Sequence, residues 1–197
     1  MTDNGNFLKD YVLEGKDLQI LQYPNPILKK KALEVNIYDE ELRLFIKNLL
    51  FTMYTSKGIG LAAPQVGKSL RIFVIDVDYK KEKVTGPDGT EKTVFKNFNP
   101  QVFINPTFIK KEGEVICEEG CLSLPGIYEE VKRAKTIEAE YFDMWGNKMT
   151  CGAEGLYAVC IQHENDHLDG IVFLERLSLI KRNLLKKKFI KNQALPS

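Results

Sequence analysis

The only two histidines of this 197-residue chain stand four residues apart, in "QHENDHLDG" (162–170), with Glu164 directly after the first. The stretch leading into them, "EGLYAVCIQ" (154–162), is apolar on nearly every side between Leu156 and Ile161. A helix that is apolar all round offers no face to water and has to be buried. The sequence therefore predicts a helix over 154–168 inside the fold, with the rest of the chain packed around it. On that helix His163 and His167 project to one face, their Cβ atoms about 5–6 Å apart, so two imidazole nitrogens can reach one ion. Glu164 is turned by roughly 100° from His163 and roughly 60° from His167, and can lean over an open coordination position without being a ligand. The pattern is H-E-x-x-H, in which the glutamate serves as general base. Two histidines on a helix can also be held by hydrogen bonds alone. The burial of this helix and the glutamate at the required offset favour metal.

The remaining pattern is mixed. Leu42, Phe45, Ile46, Leu49, Leu50, Met53 and Tyr54 recur at helical spacing, so 39–56 reads as a helix with Asp39, Glu40 and Glu41 at its N-terminal end. "KGIGLAAPQVGK" (57–68) reads as a glycine-punctuated loop and "LRIFVIDV" (70–77) as a buried strand. Residues 80–100 read as a polar inserted hairpin turning at Gly86-Pro87-Asp88-Gly89. Short strands follow at 101–109, 113–117, 121–124 and 131–142, with a turn at Trp145-Gly146-Asn147 into 148–151. After the histidine helix come a short strand (171–174) and a last helix from about 178 to 191. Helix, many strands, helix is the order of an α+β fold, with antiparallel sheets packed around the central buried H-E-x-x-H helix plus an N-terminal and a C-terminal helix. The length suits one domain over 1–197, with 1–17 a loose extension.

Net charge is +1, with 28% charged residues, which gives no reason to expect DNA as a partner. The N-terminal stretch has no signal-like apolar core and no segment approaches the roughly 18–20 apolar residues of a membrane span, so the expected location is cytoplasm or an organelle matrix. Cys117, Cys121, Cys151 and Cys160 are then read as thiols or ligands rather than disulfides.

Two imidazoles need a third ligand. Downstream only Asp169 and Glu175 are near, and no extended H-E-x-x-H-x-x-G-x-x-H pattern is present. Upstream, "EEGCLSLPG" (118–126) offers Cys121. One thiolate and two imidazoles leave a position open for water, the arrangement of a catalytic rather than a structural site. Cys117 joining Cys121 would close the site. Buried apolar packing is the plain alternative for every cysteine, and the reading kept here for Cys117, Cys151 and Cys160.

Together "GIGLAAPQ" (58–65), "EGCLS" (119–123) and "QHENDH" (162–167) resemble the peptide deformylases, in order and spacing, across roughly residues 18–190. The resemblance implies a hydrolase that removes the formyl group from the N-formylmethionyl end of new polypeptides and releases formate. It implies one divalent ion held by Cys121, His163 and His167, typically Fe2+ and often replaced by Zn2+, Ni2+ or Co2+. Glu164 would act as general base and acid, a metal-held water would attack the formyl carbon, and Gln65 with the Leu122 N–H would hold the developing oxyanion. The backbone of Ile59 and Gly60 would pair with the substrate as an added strand, Gly58 and Gly60 permitting close approach. Ile59, Leu156, Val159 and Cys160 would wall the methionine pocket, core packing being their plain alternative. Tyr128, after Ile127 in "LPGIYEEV", falls where some members carry an arginine that contacts the substrate backbone. Gly58 also reads as the C′ residue of the preceding helix. "KRNLLKKKFIK" (181–191) carries six basic residues and no acidic one, with Ile180, Leu184, Leu185 and Phe189 as an apolar side. It reads as an amphipathic helix packed on the domain, and the resemblance adds a weak, salt-dependent ribosome contact. The competing functions are an H-E-x-x-H endopeptidase, which needs no cysteine ligand, and a non-catalytic metal-stabilised module, which needs no Glu164.

Overall fold

The structure is a computed structural model that describes residues 11–85 and 89–193. The first helix, α1, spans Glu40–Thr55, and the Asp39 side chain caps it by accepting from the Leu42 N–H at 2.9 Å. Its buried stripe of Leu42, Ile46, Leu49, Leu50, Met53 and Tyr54 follows the predicted period. Each such side chain contributes about 1.5–3 kcal/mol by leaving water.

The end of α1 departs from expectation. Gly58 N–H donates to the Met53 carbonyl at 2.9 Å and Lys57 N–H to that of Tyr54 at 2.9 Å. This pairing makes Lys57, at φ 60°, the left-handed C′ residue and Gly58 the one after it. Residues 57–68 are not all loop. Gly60–Ala62 forms strand β1, and Ala63–Val66 a 3-10 turn.

Strands follow at β2 (Ile72–Ile75), β3 (Lys80–Thr85), β4 (Glu91–Lys96), β5 (Gln101–Glu112), β6 (Val115–Gly120), β7 (Tyr128–Arg133), β8 (Thr136–Phe142) and β9 (Lys148–Glu154). One antiparallel sheet has the order β1-β2-β5-β8-β9, while β3-β4 and β6-β7 are separate antiparallel hairpins. The expected 80–100 hairpin is thus present, and residues 86–88 of its predicted turn at 86–89 lie outside the described residues. The single strand expected at 131–142 is two, in different sheets. At 121–124 there is a turn, closed by the Leu124 N–H on the Cys121 carbonyl at 2.9 Å, because Pro125 and Gly126 break the ladder where Cys121 leaves it.

Gly155, at φ 60°, turns β9 straight into helix α2 (Gly155–Leu168). Ala158, Cys160, Ile161 and Leu168 of α2 join Phe73, Ile75 and Phe103 of the large sheet in one buried cluster. The C-terminal half of α2 is polar yet also buried, from Gln162 through His167. The expected strand at 171–174 is a 3-10 turn, Phe173–Arg176, whose Phe173 and Leu174 fill a third cluster with Leu28, Leu124 and Val131. A compact turn inserts both side chains into a core that an extended strand would split between two faces.

Helix α3 spans Leu179–Gln193. Leu185 and Phe189 face the third cluster, whereas Ile180 and Leu184 are exposed, so the apolar side is narrower than the sequence pattern indicates. Lys181 pairs with Glu129, and Arg182 and Lys186 pair with Glu175. Residues 11–17 are not loose. Tyr11 is buried against Tyr54 and Phe98, and Lys16 N–H donates to Asn48 of α1 at 2.9 Å. The polar composition that suggested a tail conceals one anchoring aromatic. Among the described residues no helix is long and apolar enough to cross a membrane.

Candidate active site

Cys121 leaves β6 at the point where α2 passes beneath it. One ligand atom each from Cys121, His163 and His167 lies within 4.8 Å of the others. Cys121 Sγ is 3.3 Å from His167 Nε2. A tetrahedral ion bound by one sulfur and one imidazole nitrogen sets those atoms about 3.5 Å apart, so the donor set fits a metal. Both histidines are buried and Cys121 is half-buried. Cys117 is not part of the cluster; β6 carries it opposite Val131 of β7.

The imidazoles are oriented differently. His163 Nδ1–H donates to Glu119 Oε2 at 2.8 Å, which turns Nε2 toward Cys121. Burial would lower the pKa of His163, but the Cys121 and Glu119 contacts outweigh it and hold the ring well above its ordinary value. The negative groups around this ring also suit a cation at Nε2. His167 is held well below its ordinary value by burial, which keeps it in the neutral, ligating form.

Glu164 sits one residue off the ligand face, as the helical offset predicts. Burial pushes its carboxyl up to about 7. Its Oε2 is buried with no hydrogen-bond partner, and His167 Nδ1 shares that condition. A buried carboxylate oxygen without a donor costs roughly 1–3 kcal/mol or more, and calls for a group that arrives later.

Behind the ligands lies an ion network that the motifs alone do not announce. Arg133 donates to Glu119 at 2.6 and 2.8 Å and to Asp166 at 2.6 Å, all three side chains being nearly inaccessible. Arg176 adds bonds of 2.5 and 3.0 Å to Asp166. Burial alone would raise the Glu119 carboxyl, but hydrogen bonds from Arg133 and His163 bring it down to about 2. Glu119 is thereby kept as an anion facing His163. The signal for this network was Asp166, a charge on a helix predicted to be buried. Its partner Arg133 could not be told from the chain's other charged residues.

Gln65 is buried, and its oxygen accepts from the Ala62 N–H at 2.8 Å. That bond aims Nε2 at Cys121 Sγ, 3.4 Å away, and at Ser123 Oγ, 3.2 Å away. Leu122 stands at the corner of the turn beside Cys121. β1 is the edge of the sheet. Asp76 N–H donates to the Ile59 carbonyl at 2.9 Å. Across a trans peptide that carbonyl and the Gly60 N–H point oppositely, so the Gly60 N–H faces the open edge. A Cβ on Gly60 would meet Glu164 Oε1 at 2.4 Å, so only glycine allows β1 this close to the carboxylate.

A slot of about 400 Å³ runs between β1 and the turn after β6. Ile59, Leu156, Val159 and Cys160 line it together with His163 and Glu164, so the structure brings the four predicted wall residues to one place. Leu156 is exposed at its mouth. The exposed ring of Tyr128 lies over Gly120, where an added Cβ would meet it at 2.6 Å.

A family model described as polypeptide deformylase matches residues 17–183. The chain belongs to the peptide deformylase family. It is 44% identical over 176 residues to a peptide deformylase of Neisseria meningitidis, covering 89% of this chain and 96% of that one. A peptide deformylase of Wolinella succinogenes is 42% identical, with 89% and 97% covered. The crystal structure of a peptide deformylase from Legionella pneumophila superposes with TM-score 0.76 at 38% identity, over 92% of this chain and 99% of that one. The chain is thus an enzyme of the deformylase class, with the three α-helices and antiparallel sheets of its described residues matching solved deformylases, and the endopeptidase alternative is not favoured.

Proposed function

We propose that this chain is one domain that hydrolyses the N-formyl group of formylmethionyl peptides through a single divalent ion held by Cys121, His163 and His167. The observation that carries the reading is the meeting of these three donors with a buried Glu164 carboxylate whose Oε2 lacks a partner. The bound ion would supply Lewis acidity and acidify a water; the donor set suits iron and zinc alike, and the family resemblance favours Fe2+ as the native ion.

The protein's own groups do the rest. Glu164 takes a proton from the attacking water and delivers it to the leaving amine nitrogen. Its carboxyl, pushed up by burial, suits a group that must both accept and release a proton near neutrality. Gln65 Nε2 and the Leu122 N–H donate to the oxygen of the formyl group as charge grows on it, and loss of one such donor typically costs about 3–4 kcal/mol of transition-state stabilisation. Glu119 fixes the His163 ring through Nδ1. The substrate backbone adds as a strand to the open edge of β1 at Ile59 and Gly60, a mode that reads main chain and tolerates varied sequences. The methionine side chain enters among Ile59, Leu156, Val159 and Cys160. On α3, Lys187, Lys188 and Lys191 are the basic residues without an ion-pair partner among the described residues, and they would make the weak ribosome contact. The substrate class suits work in the cytoplasm.

The test is formate release from formyl-Met-Ala-Ser against its unformylated twin. Formate from the first, with both peptide bonds intact, is expected. Cleavage of an internal bond, or silence with metal bound, would overturn the proposal. Glu164→Ala is expected to keep one metal per chain and lose most turnover.

A further inference from the structure

The open edge of β1 is held from behind by the segment that enters the β3–β4 hairpin. Three consecutive carbonyls lead into that edge. Lys81 Nζ donates to the Lys57 carbonyl at 2.8 Å, Tyr79 Oη to that of Gly58 at 2.7 Å and Asp76 N–H to that of Ile59 at 2.9 Å. All three donors come from residues 76–81. The last of these continues the β1–β2 ladder by one residue, and the other two come from side chains.

The donors are themselves anchored. Asp76 Oδ1 accepts from the Asp78 and Tyr79 N–H groups at 2.9 and 3.1 Å. Its Oδ2 accepts from Tyr54 Oη at 2.6 Å and Asn99 N–H at 2.8 Å. One buried carboxylate therefore ties both feet of the hairpin to α1. The Tyr79 ring stands edge-on to Tyr54, centroids 4.9 Å apart, and lies beside Phe95 of β4 at 6.0 Å. Beyond this root the arms are exposed and paired through surface ions, which contribute little.

Gly58 transmits the hold. A Cβ on it would meet Leu122 Cδ1 at 2.8 Å, so the residue held by the Tyr79 hydroxyl leaves no room for a side chain beside Leu122. A shift of the Gly58 carbonyl would move the peptide-binding edge.

We propose that Tyr79, with Lys81 beside it, is a positioning residue for peptide binding. It sets the 57–60 edge, and so governs affinity for the residues downstream of formylmethionine. This rests on the deformylase reading of the site. Plain core packing of the Tyr79 ring is separable from it, because the ring and the hydroxyl can be separated.

Tyr79→Phe keeps the ring and removes the donor; Lys81→Met keeps the exposed stem and removes the charge. Both are measured in the full, metal-loaded chain with formyl-Met-Ala-Ser and with formylmethionine amide, which lacks the downstream residues. Hydrogen exchange of residues 57–62 is followed alongside. A lost hydrogen bond worth about 0.5–1.5 kcal/mol corresponds to roughly a 2- to 12-fold change. Tyr79→Phe is therefore expected to raise KM for the tripeptide by about that factor, with kcat within about twofold, an amide substrate scarcely affected and faster exchange at 57–62. Equal losses on both substrates, or unchanged KM and unchanged exchange in a folded variant, would overturn the proposal. If the wild type released no formate from either substrate, the deformylase reading would fail. In that case the exchange measurement still decides whether Tyr79 holds the edge.

Discussion

Replacing Gly60 by alanine places a methyl group where Glu164 already is. The added Cβ would lie 2.4 Å from Oε1, 2.8 Å from Cδ and 2.9 Å from Cγ of Glu164. Ordinary contact begins near 3.4 Å, so a separation of about 1 Å has to be found, either by β1 moving outward or by the carboxylate moving away. Gly60 φ lies outside the left-handed range, so alanine brings no backbone strain and the effect is one of contact alone. Neither partner moves freely. β1 is paired with β2, and Glu164 is buried on α2. Displacing a catalytic group by about 1 Å costs on the order of 100-fold in rate, or about 2.7 kcal/mol. The expected result for Gly60→Ala is a fall of about that size in kcat/KM for formyl-Met-Ala-Ser, with metal still near one per chain. Activity within threefold of wild type in a folded, metal-loaded variant would refute the reasoning, because Glu164 would then tolerate displacement.

Three further outcomes are expected. Arg133→Met leaves two buried carboxylates short of a partner, so it should cost about 3–5 kcal/mol and lower the melting temperature by on the order of 10 °C; a loss under about 1 kcal/mol would show the network to be idle. Glu119 is held at about 2 in the folded chain, against about 4.3 when unfolded. Its contribution is therefore present above about pH 4.3 and lost as pH falls toward 2, so urea midpoints of metal-free protein should drop across that window, and less steeply for Glu119→Gln. Lys57→Gly removes a side chain from a left-handed residue and should stabilise by about 0.5–1 kcal/mol; a destabilised variant would mean the Lys57 side chain makes contacts that outweigh the strain.

Much of the site was legible because its chemistry sits on one helix. The spacing of His163, Glu164 and His167 fixes their relative directions once 154–168 is a helix, and apolarity made that helix buried. Gln65 was legible only through motif resemblance, and Cys121 as an upstream candidate for the third ligand that the resemblance then singled out, since no periodicity links residues so far apart in the chain. The fold's less legible parts share a cause. Strands over 131–142 read as one because the chain changes sheet at Ala134-Lys135 without glycine or proline to mark it. The 171–174 turn resembled a strand because a short apolar run carries no period of its own. Tyr11 and Arg133 were invisible because burial of a lone aromatic or a charge depends on partners brought from elsewhere. Asp76 is the sharpest instance: one carboxylate at a strand end organises the hairpin root, and nothing in "IDVDY" distinguishes it from Asp78.

The proposed site holds a cation through one sulfur and two imidazole nitrogens with a corner left open. X-ray absorption at the metal edge of anaerobically prepared protein measures that shell directly. The expected shell is a single sulfur at about 2.3 Å with two nitrogens at about 2.0–2.1 Å and a further light oxygen or nitrogen donor, the sulfur vanishing in Cys121→Ser. Two sulfurs, or a sulfur signal that survives Cys121→Ser, would contradict it.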